Sequence, residues 1–353
     1  MKRAARTARA PFEIGDASVP PGTRATVHLP VSVLADHTPV SLSAHVVHGR
    51  RPGPVMFVSA AVHGDEVVGV EVVRRLLRNP RMERLSGTLI AVPVVNAFGF
   101  LAHSRYLPDR RDLNRSFPGS ERGSLAARLA SLFLHEIVAR CEVGIDLHTA
   151  AAHRTNLPQV RVSAGRTRMA ELAEAFGTPV VIASTLRDGS LRACATEMGV
   201  DVLLYEGGEA LRFDELAIRA GVSGVLRVMA RLEMVPTRGI SPPRAPVLRA
   251  RSSYWLRAPA GGLVRELVAL GASVSPGQVV GSVADPFGEA GEDIVASEPG
   301  LVVGRSELPV VNEGDALIHV ARLDAAPGEA AATVEAHEDQ LAVDPLFDED
   351  EII

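Results

Sequence analysis

The sequence predicts an α/β chain, a sheet layered between helices, that hands over to a small all-β unit. Three observations carry this reading. From about residue 54 to residue 206, short apolar runs alternate with amphipathic stretches, the pattern of a layered α/β architecture. Near Thr237-Arg238-Gly239-Ile240-Ser241-Pro242-Pro243 the composition turns Pro- and Gly-rich, as linkers do. Beyond that point helical periodicity disappears and a weak internal repeat takes over. Gly262-Leu263-Val264, Gly271, Val274, Gly277 and Val280 are echoed by Gly300-Leu301-Val302, Val310, Asn312-Glu313-Gly314 and Leu317-Ile318. The expected units are a main domain over 1–240 that begins with an N-terminal extension or β segment (1–50), a glycine-rich β domain over 241–323, and an acidic, mobile tail over 324–353.

Strands are expected at 55–62, 88–95, 143–147, 160–163, 179–183 and 202–205, each a short apolar run of the length buried strands take. Between and after them, apolar residues recur three and four apart over 66–78, 124–140, 168–176, 191–198 and 210–233, which predicts helices. In the first of these, Val67, Val70, Val73 and Leu77 fall on one face. The tail carries Asp348-Glu349-Asp350-Glu351, a run of like charges that opposes packing.

Composition removes several classes of function. A net charge of -5, with arginines scattered rather than clustered, leaves no surface suited to nucleic acid or an anionic membrane. No apolar stretch approaches the roughly 20 residues of a membrane helix. The basic start Met1-Lys2-Arg3-Ala4-Ala5-Arg6 is not followed by the apolar core of an export signal. Cys141 and Cys194 are isolated, giving neither a disulfide framework nor a paired metal motif, so a cytoplasmic chain is expected. Lys2 is the single lysine, which excludes Schiff-base chemistry and a P-loop; no Gly-x-Ser-x-Gly elbow is present either. His135-Glu136 begins like a helical zinc-protease motif, but Ala139 stands where the second histidine is required.

What remains is a metal site. His63 and Glu66 follow an apolar strand in His63-Gly64-Asp65-Glu66, an imidazole and a carboxylate placed to share one divalent ion. A third ligand should end a neighbouring strand, because ligands converge at the carboxyl edge of such a sheet. His148 in Ile145-Asp146-Leu147-His148-Thr149 meets that requirement, and Asp146, on the same strand face, is placed to orient an imidazole. Between these segments lies a long polar loop, 96–119, whose arginines either clamp a substrate carboxylate or pair with the loop's own aspartates. Glu206 closes the last apolar strand ahead of Gly207-Gly208, as a general base or as a merely exposed carboxylate.

Taken together and in this order, His63-Gly64-Asp65-Glu66, Asp112-Leu113-Asn114-Arg115-Ser116-Phe117-Pro118-Gly119, Asp146-Leu147-His148-Thr149 and Glu206-Gly207-Gly208 resemble the succinylglutamate desuccinylase/aspartoacylase family. That family is similar to zinc carboxypeptidases. The resemblance runs from about 54 to 208, and the segment near 255–322 is similar to the family's small β domain. It implies a carboxypeptidase-like mixed central sheet flanked by helices, with a barrel-sandwich-like C-terminal domain. It implies one zinc ion per chain on His63, Glu66 and His148, and Glu206 as general base and then acid. By the same matching Arg105 polarises the scissile carbonyl, with Arg110 and Arg111 as neighbouring competitors, while Asn114 and Arg115 bind the substrate carboxylate.

The function so implied is a deacylase that cleaves the amide of a small N-acyl amino acid through a zinc-activated water. The alternatives are a zinc metallocarboxypeptidase acting on peptides and a catalytically dead binding protein. The repeated glycine-rich halves also resemble biotinyl and lipoyl carrier domains, but those modify a lysine that this segment lacks. The acyl group, the amine and any homo-oligomeric state are left open.

Overall fold

The computed structural model describes residues 9–163, 165–265, 267–323 and 327–344. Strict polar and apolar alternation starts it: a hairpin of β1 (Phe12–Ile14) and β2 (Ala17–Val19) precedes the long antiparallel pair β3 (Thr23–Val33) and β4 (Pro39–His48), with Val27, Leu29 and Val31 turned inward. There follow β5 (Arg51–Ala60), α1 (Val68–Arg78), β6 (Ser86–Val92), the short α2 (Ala97–Leu101), α3 (Leu125–Glu136), β7 (Val143–Ala150) and β8 (Arg154–Val162). Then come α4 (Thr167–Phe176), β9 (Val180–Ala183), α5 (Leu191–Glu197), β10 (Asp201–Glu209) and α6 (Glu215–Arg231).

Each expected strand and helix of this region coincides with an observed one, and the differences lie at ends and faces. The last helix begins at Glu215 rather than near 210 because the Asp214 carboxylate accepts the Ala217 N–H and caps it there. The 124–140 helix stops at Glu136, and a 3-10 turn covers Val138–Arg140. In α1 the buried stripe is Val68, Val72, Val73 and Leu76, with Val70 and Leu77 only flanking it. A segment this rich in valine offers two stripes, and packing against α6 selects one: Gly221 of α6 is tight on Val72.

The main sheet runs β3-β4-β6-β5-β7-β10-β8-β9 and continues into strands of the C-terminal segment. Strands β6, β5, β7 and β10 are parallel neighbours, whereas β8 is antiparallel to β10, so the sheet is mixed. One layer, α1, α4 and α6, packs on a core of Met56, Val58, Ile145, Leu147 and Tyr205. The opposite layer, α3 and α5, packs with β1 to β3 on Phe57, Ile90 and Val92.

The C-terminal segment adds β11 (Leu248–Arg257), β12 (Gly262–Arg265), β13 (Ser273–Val274), β14 (Val279–Ala284), β15 (Gly291–Val295), β16 (Gly300–Ser306), β17 (Val310–Val311) and β18 (Ala316–Leu323). Four of these form a separate sheet in the order β15-β14-β12-β17. The others extend the main sheet: β11 pairs with β9, β18 with β11, β16 with β18, and β16 returns to β8. Strands β8, β9, β11, β18 and β16 therefore close a five-stranded ring that shares β8 with the main sheet. Among the described residues no helix is long and apolar enough to cross a membrane.

The expected mobile tail is corrected in part. Helix α7 (Pro327–Ala342) packs Ala330 and Val334 against the ring, and Gln340 donates to the Pro242 carbonyl and accepts the Arg244 N–H. Ala and Glu are strong helix formers, and the buried residues spaced along one face supply the docking surface that composition alone hid. The acidic run Asp348-Glu349-Asp350-Glu351 lies outside the described residues. Val334→Ala is expected to lower stability by ~1–3 kcal/mol, the transfer and cavity terms of a buried valine. An unchanged urea midpoint would show that α7 does not dock.

Candidate metal centre and active site

Strand β5 ends at Ala60, and Ala61, at φ 50°, turns the chain away at the carboxyl edge of the sheet. His63 and Glu66 sit in the turn that follows, closed by the Glu66 N–H on the His63 carbonyl at 3.2 Å. Gly64 is required there, since a Cβ would lie 2.0 Å from the Gly99 backbone of α2. Strand β7 runs parallel to β5 with Asp146 opposite Ser59, so His148 emerges at the same edge. The sequence placed the strand end at 147; the strand in fact carries His148 and continues to Ala150.

The two imidazoles meet on one carboxylate. His63 Nδ1 lies 2.7 Å from Glu66 Oε1 and His148 Nδ1 lies 2.7 Å from Glu66 Oε2. Each Nε2 is held by a second carboxylate, His63 by Asp112 at 3.0 Å and His148 by Asp146 at 2.8 Å. Asp146 is itself fixed by the Ser59 hydroxyl at 2.7 Å, and Asp112 by the Asn114 N–H at 2.8 Å. The outer nitrogens are thus occupied and both Nδ1 atoms face the centre, the arrangement in which buttressed histidines present their free nitrogen to a metal. Among the described residues, His63, Glu66 and His148 form the one group able to hold an ion, with their ligand atoms within 4.8 Å of one another. A donor set of two imidazoles and one carboxylate fits zinc and leaves a position for water.

Charge is concentrated here in a dry place, with Glu66 2 % exposed and His148 3 %. Burial opposes ionising Glu66, but His63 and His148 outweigh it and hold its pKa far below the carboxylate range. For His148 burial opposes the cation, and Asp146 and Glu66 together raise its pKa well above the usual value. His63 follows the same balance, with Glu66 and Asp112 prevailing over burial.

Arg105 reaches this cluster, donating to Glu66 Oε1 at 3.2 Å and to Asp112 Oδ2 at 3.0 Å. Arg111 pairs with Asp109 at 3.7 Å on the surface, and Arg110, exposed at φ 61°, turns the loop. Of the three competing arginines, the structure brings Arg105 to the cluster of His63, Glu66 and His148. Asn114 and Arg115 lie in a 3-10 turn, Leu113–Arg115. The Asn114 side chain accepts the Leu191 N–H at 2.9 Å, and Arg115 is exposed with its guanidinium turned back on the Asn114 carbonyl. Glu206 is opposite His148 in the β10–β7 register and receives an N–H from Asn156 at 2.8 Å.

Four residues of this neighbourhood were not among the sequence candidates for the roles they hold. Asp112 anchors His63 across 49 residues, a pairing no local pattern reveals. Asn156 contacts Glu206 across a strand pair. Arg161 lies 3.6 Å from Glu206 Oε1, and its Nε has no hydrogen-bond partner among the described residues. Arg192 is buried; it donates to Ser184 and Thr185, while its NH1 nitrogen has no protein partner among the described residues. Burial, and after it the charge of Arg161, bring the Arg192 pKa down to about 10. The signal for both arginines was available, a lone charge within an apolar strand or helix, which is rare unless paired or functional.

Comparison with known proteins places this geometry. A model of the succinylglutamate desuccinylase/aspartoacylase catalytic domain matches residues 52–232. The N-alpha-acetyl-L-2,4-diaminobutyric acid deacetylase of Halomonas elongata is 30% identical over 297 residues, covering 78% of this chain and 84% of the relative. Among solved structures, the succinylglutamate desuccinylase/aspartoacylase of Rhodobacter sphaeroides superposes with a TM-score of 0.76 at 24% identity, over 86% of this chain and 96% of that one. The product-bound ectoine utilization protein EutE (DoeB) of Ruegeria pomeroyi gives a TM-score of 0.76 at 22% identity, over 84% and 94%. Both structural likenesses speak for the fold.

Asp146→Asn replaces the charged acceptor of His148 Nε2 with a neutral one. It is expected to weaken affinity for a divalent metal roughly 10- to 100-fold, measured by competition against a chelating dye, and unaltered affinity would remove Asp146 from the site.

Proposed function

The chain belongs to the succinylglutamate desuccinylase/aspartoacylase family, and from that premise we propose that it deacylates an N-acyl amino acid with one zinc ion on His63, Glu66 and His148. The observation that carries the reading is the pair of Nδ1 atoms converging on Glu66 while Asp112 and Asp146 occupy both Nε2 atoms. A carboxypeptidase-like arrangement of the sheet is part of the same proposal, as is the division into a catalytic domain, 1–240, and a β domain, 241–323.

Zinc held there supplies a Lewis acid that polarises the amide carbonyl and makes water nucleophilic near neutral pH. The protein's own groups do the rest. Glu206 takes the proton from the attacking water and passes it to the departing amine nitrogen, so water and amide become a carboxylate and an amine. Arg105, already donating toward Glu66 and Asp112, turns an N–H to the carbonyl oxygen as negative charge develops on it. Arg115 is exposed with its guanidinium on the Asn114 carbonyl, and its fork, with the Asn114 side chain beside it in the same turn, binds the substrate carboxylate. Arg192, with one nitrogen lacking a protein partner, adds a second cation on the Glu206 side.

The Halomonas relative makes N-α-acetyl-2,4-diaminobutyrate the first substrate to assay, followed by other N-acyl amino acids and by dipeptides. Chelation should abolish hydrolysis and added zinc restore it. A purified protein that neither binds zinc nor cleaves any of these amides sinks the proposal. Glu206→Gln should lower kcat by roughly 10^2- to 10^4-fold with zinc content unchanged, and undiminished turnover would take the residue out of the mechanism. Arg115→Ala should raise KM for carboxylate substrates roughly 10- to 100-fold with kcat little altered; an unchanged KM refutes the clamp.

A further inference from the structure

We propose that Asn156 is a positioning residue for Glu206, and that closure of the five-stranded ring is what aims it. The inference rests on the reading of Glu206 as general base and assigns the means by which that carboxylate is held.

Asn156 stands at the one place on β8 flanked by both β10 and β16: it is opposite Gly208 on one side and Gly304 on the other. Both neighbours are irregular there, with register shifts between Glu206 and Gly208 and between Val302 and Gly304. Such bulges re-aim side chains. The Asn156 amide is buried and donates Nδ2–H to Glu206 Oε2 at 2.8 Å. The other oxygen, Oε1, is left toward Arg161 at 3.6 Å, beyond a hydrogen bond. One oxygen is therefore pinned and the other is free to face a water.

Gly304 makes this possible from the far side. A Cβ at that position would lie 2.7 Å from Asn156 Oδ1 and 3.3 Å from the His319 Cβ. The empty space at Gly304 seats the Asn156 amide with its nitrogen toward Glu206. A carboxylate on a strand end otherwise rotates freely about its terminal torsion, which is broad and two-fold. The hydrogen bond removes that freedom, and reaction rates are sensitive to orientation errors of this size.

The test is a double-mutant cycle on the zinc-loaded full chain, with kcat and KM measured for whichever N-acyl amino acid the protein cleaves. Asn156→Asp keeps the shape, replaces the donor with an acceptor and sets a second negative charge against Glu206, and Gly304→Ala displaces the amide without touching its chemistry. Each should lower kcat roughly 10- to 100-fold with KM and zinc content unchanged. Asn156→Asp combined with Glu206→Gln should be no slower than Glu206→Gln alone, because Asn156 acts only through that carboxylate. Losses that multiply in the double variant overturn the proposal, as does a loss confined to KM or a wild-type kcat for Asn156→Asp. A Glu206→Gln variant with normal turnover instead overturns the general-base reading itself, so the two failures are distinguishable.

Discussion

Everything at this site is arranged around one dry negative charge. An ionised carboxylate taken from water costs several kcal/mol even after relaxation, and Glu66 is almost wholly buried. Two imidazoles, the Arg105 guanidinium and the Thr149 N–H offset that cost from four directions. The partners come from the β5 turn, the end of β7 and the long loop before α3. Pairing of β5 with β7 brings two of these segments to one edge, and the buried charge ties the loop to them. Asp112 and Asp146 extend the arrangement outward, each steadying an imidazole and each steadied in turn by a short bond to Asn114 N–H or Ser59. The polar loop, which has no periodicity of its own, is held by these bonds and by buried Leu107, Leu113 and Phe117.

That dependence explains what the amino-acid sequence discloses and what it withholds. Strands β5, β6, β7 and β10 were legible because each is a bounded apolar run, and His63, Glu66, His148 and Glu206 were legible because each follows such a run at one edge. The role of Asp112 was not, since its pairing with His63 depends on the path of a loop rather than on any local spacing. Helix α7 was read as a solvated tail because its apolar residues are few and its acids many; the ring it covers does not exist until β16 has returned to β8. Arg161 and Arg192 were visible as charges in apolar segments, but nothing local says that both face Glu206.

Those two arginines set the charge around Glu206. Arg192 is buried with a nitrogen lacking a protein partner, and leaving a buried donor unpaired costs about 1–3 kcal/mol, more where the group is charged. Arg161 adds a second positive charge close enough to depress the Arg192 pKa. Glu206 faces both, yet its nearest approach to Arg161 is a long 3.6 Å contact and its other oxygen belongs to Asn156. The local balance leaves positive charge in excess beside Glu206.

The glycine-rich C-terminal segment gains a purpose from the same geometry. Its repeated halves resemble carriers that bear a cofactor on lysine, and it has no lysine to bear one. Instead β11, β16 and β18 complete the ring, and β16 lies against β8 on the side opposite Glu206. A site built on paired strands is held more tightly than one built on loops. Neutral His319 belongs to that wall: burial, and after it Arg161, bring its pKa down to about 3. The stacking of its ring on Trp255 at 4.5 Å fixes the imidazole in place. The segment therefore braces the strand beside Glu206, a role that requires register and glycine rather than any reactive group.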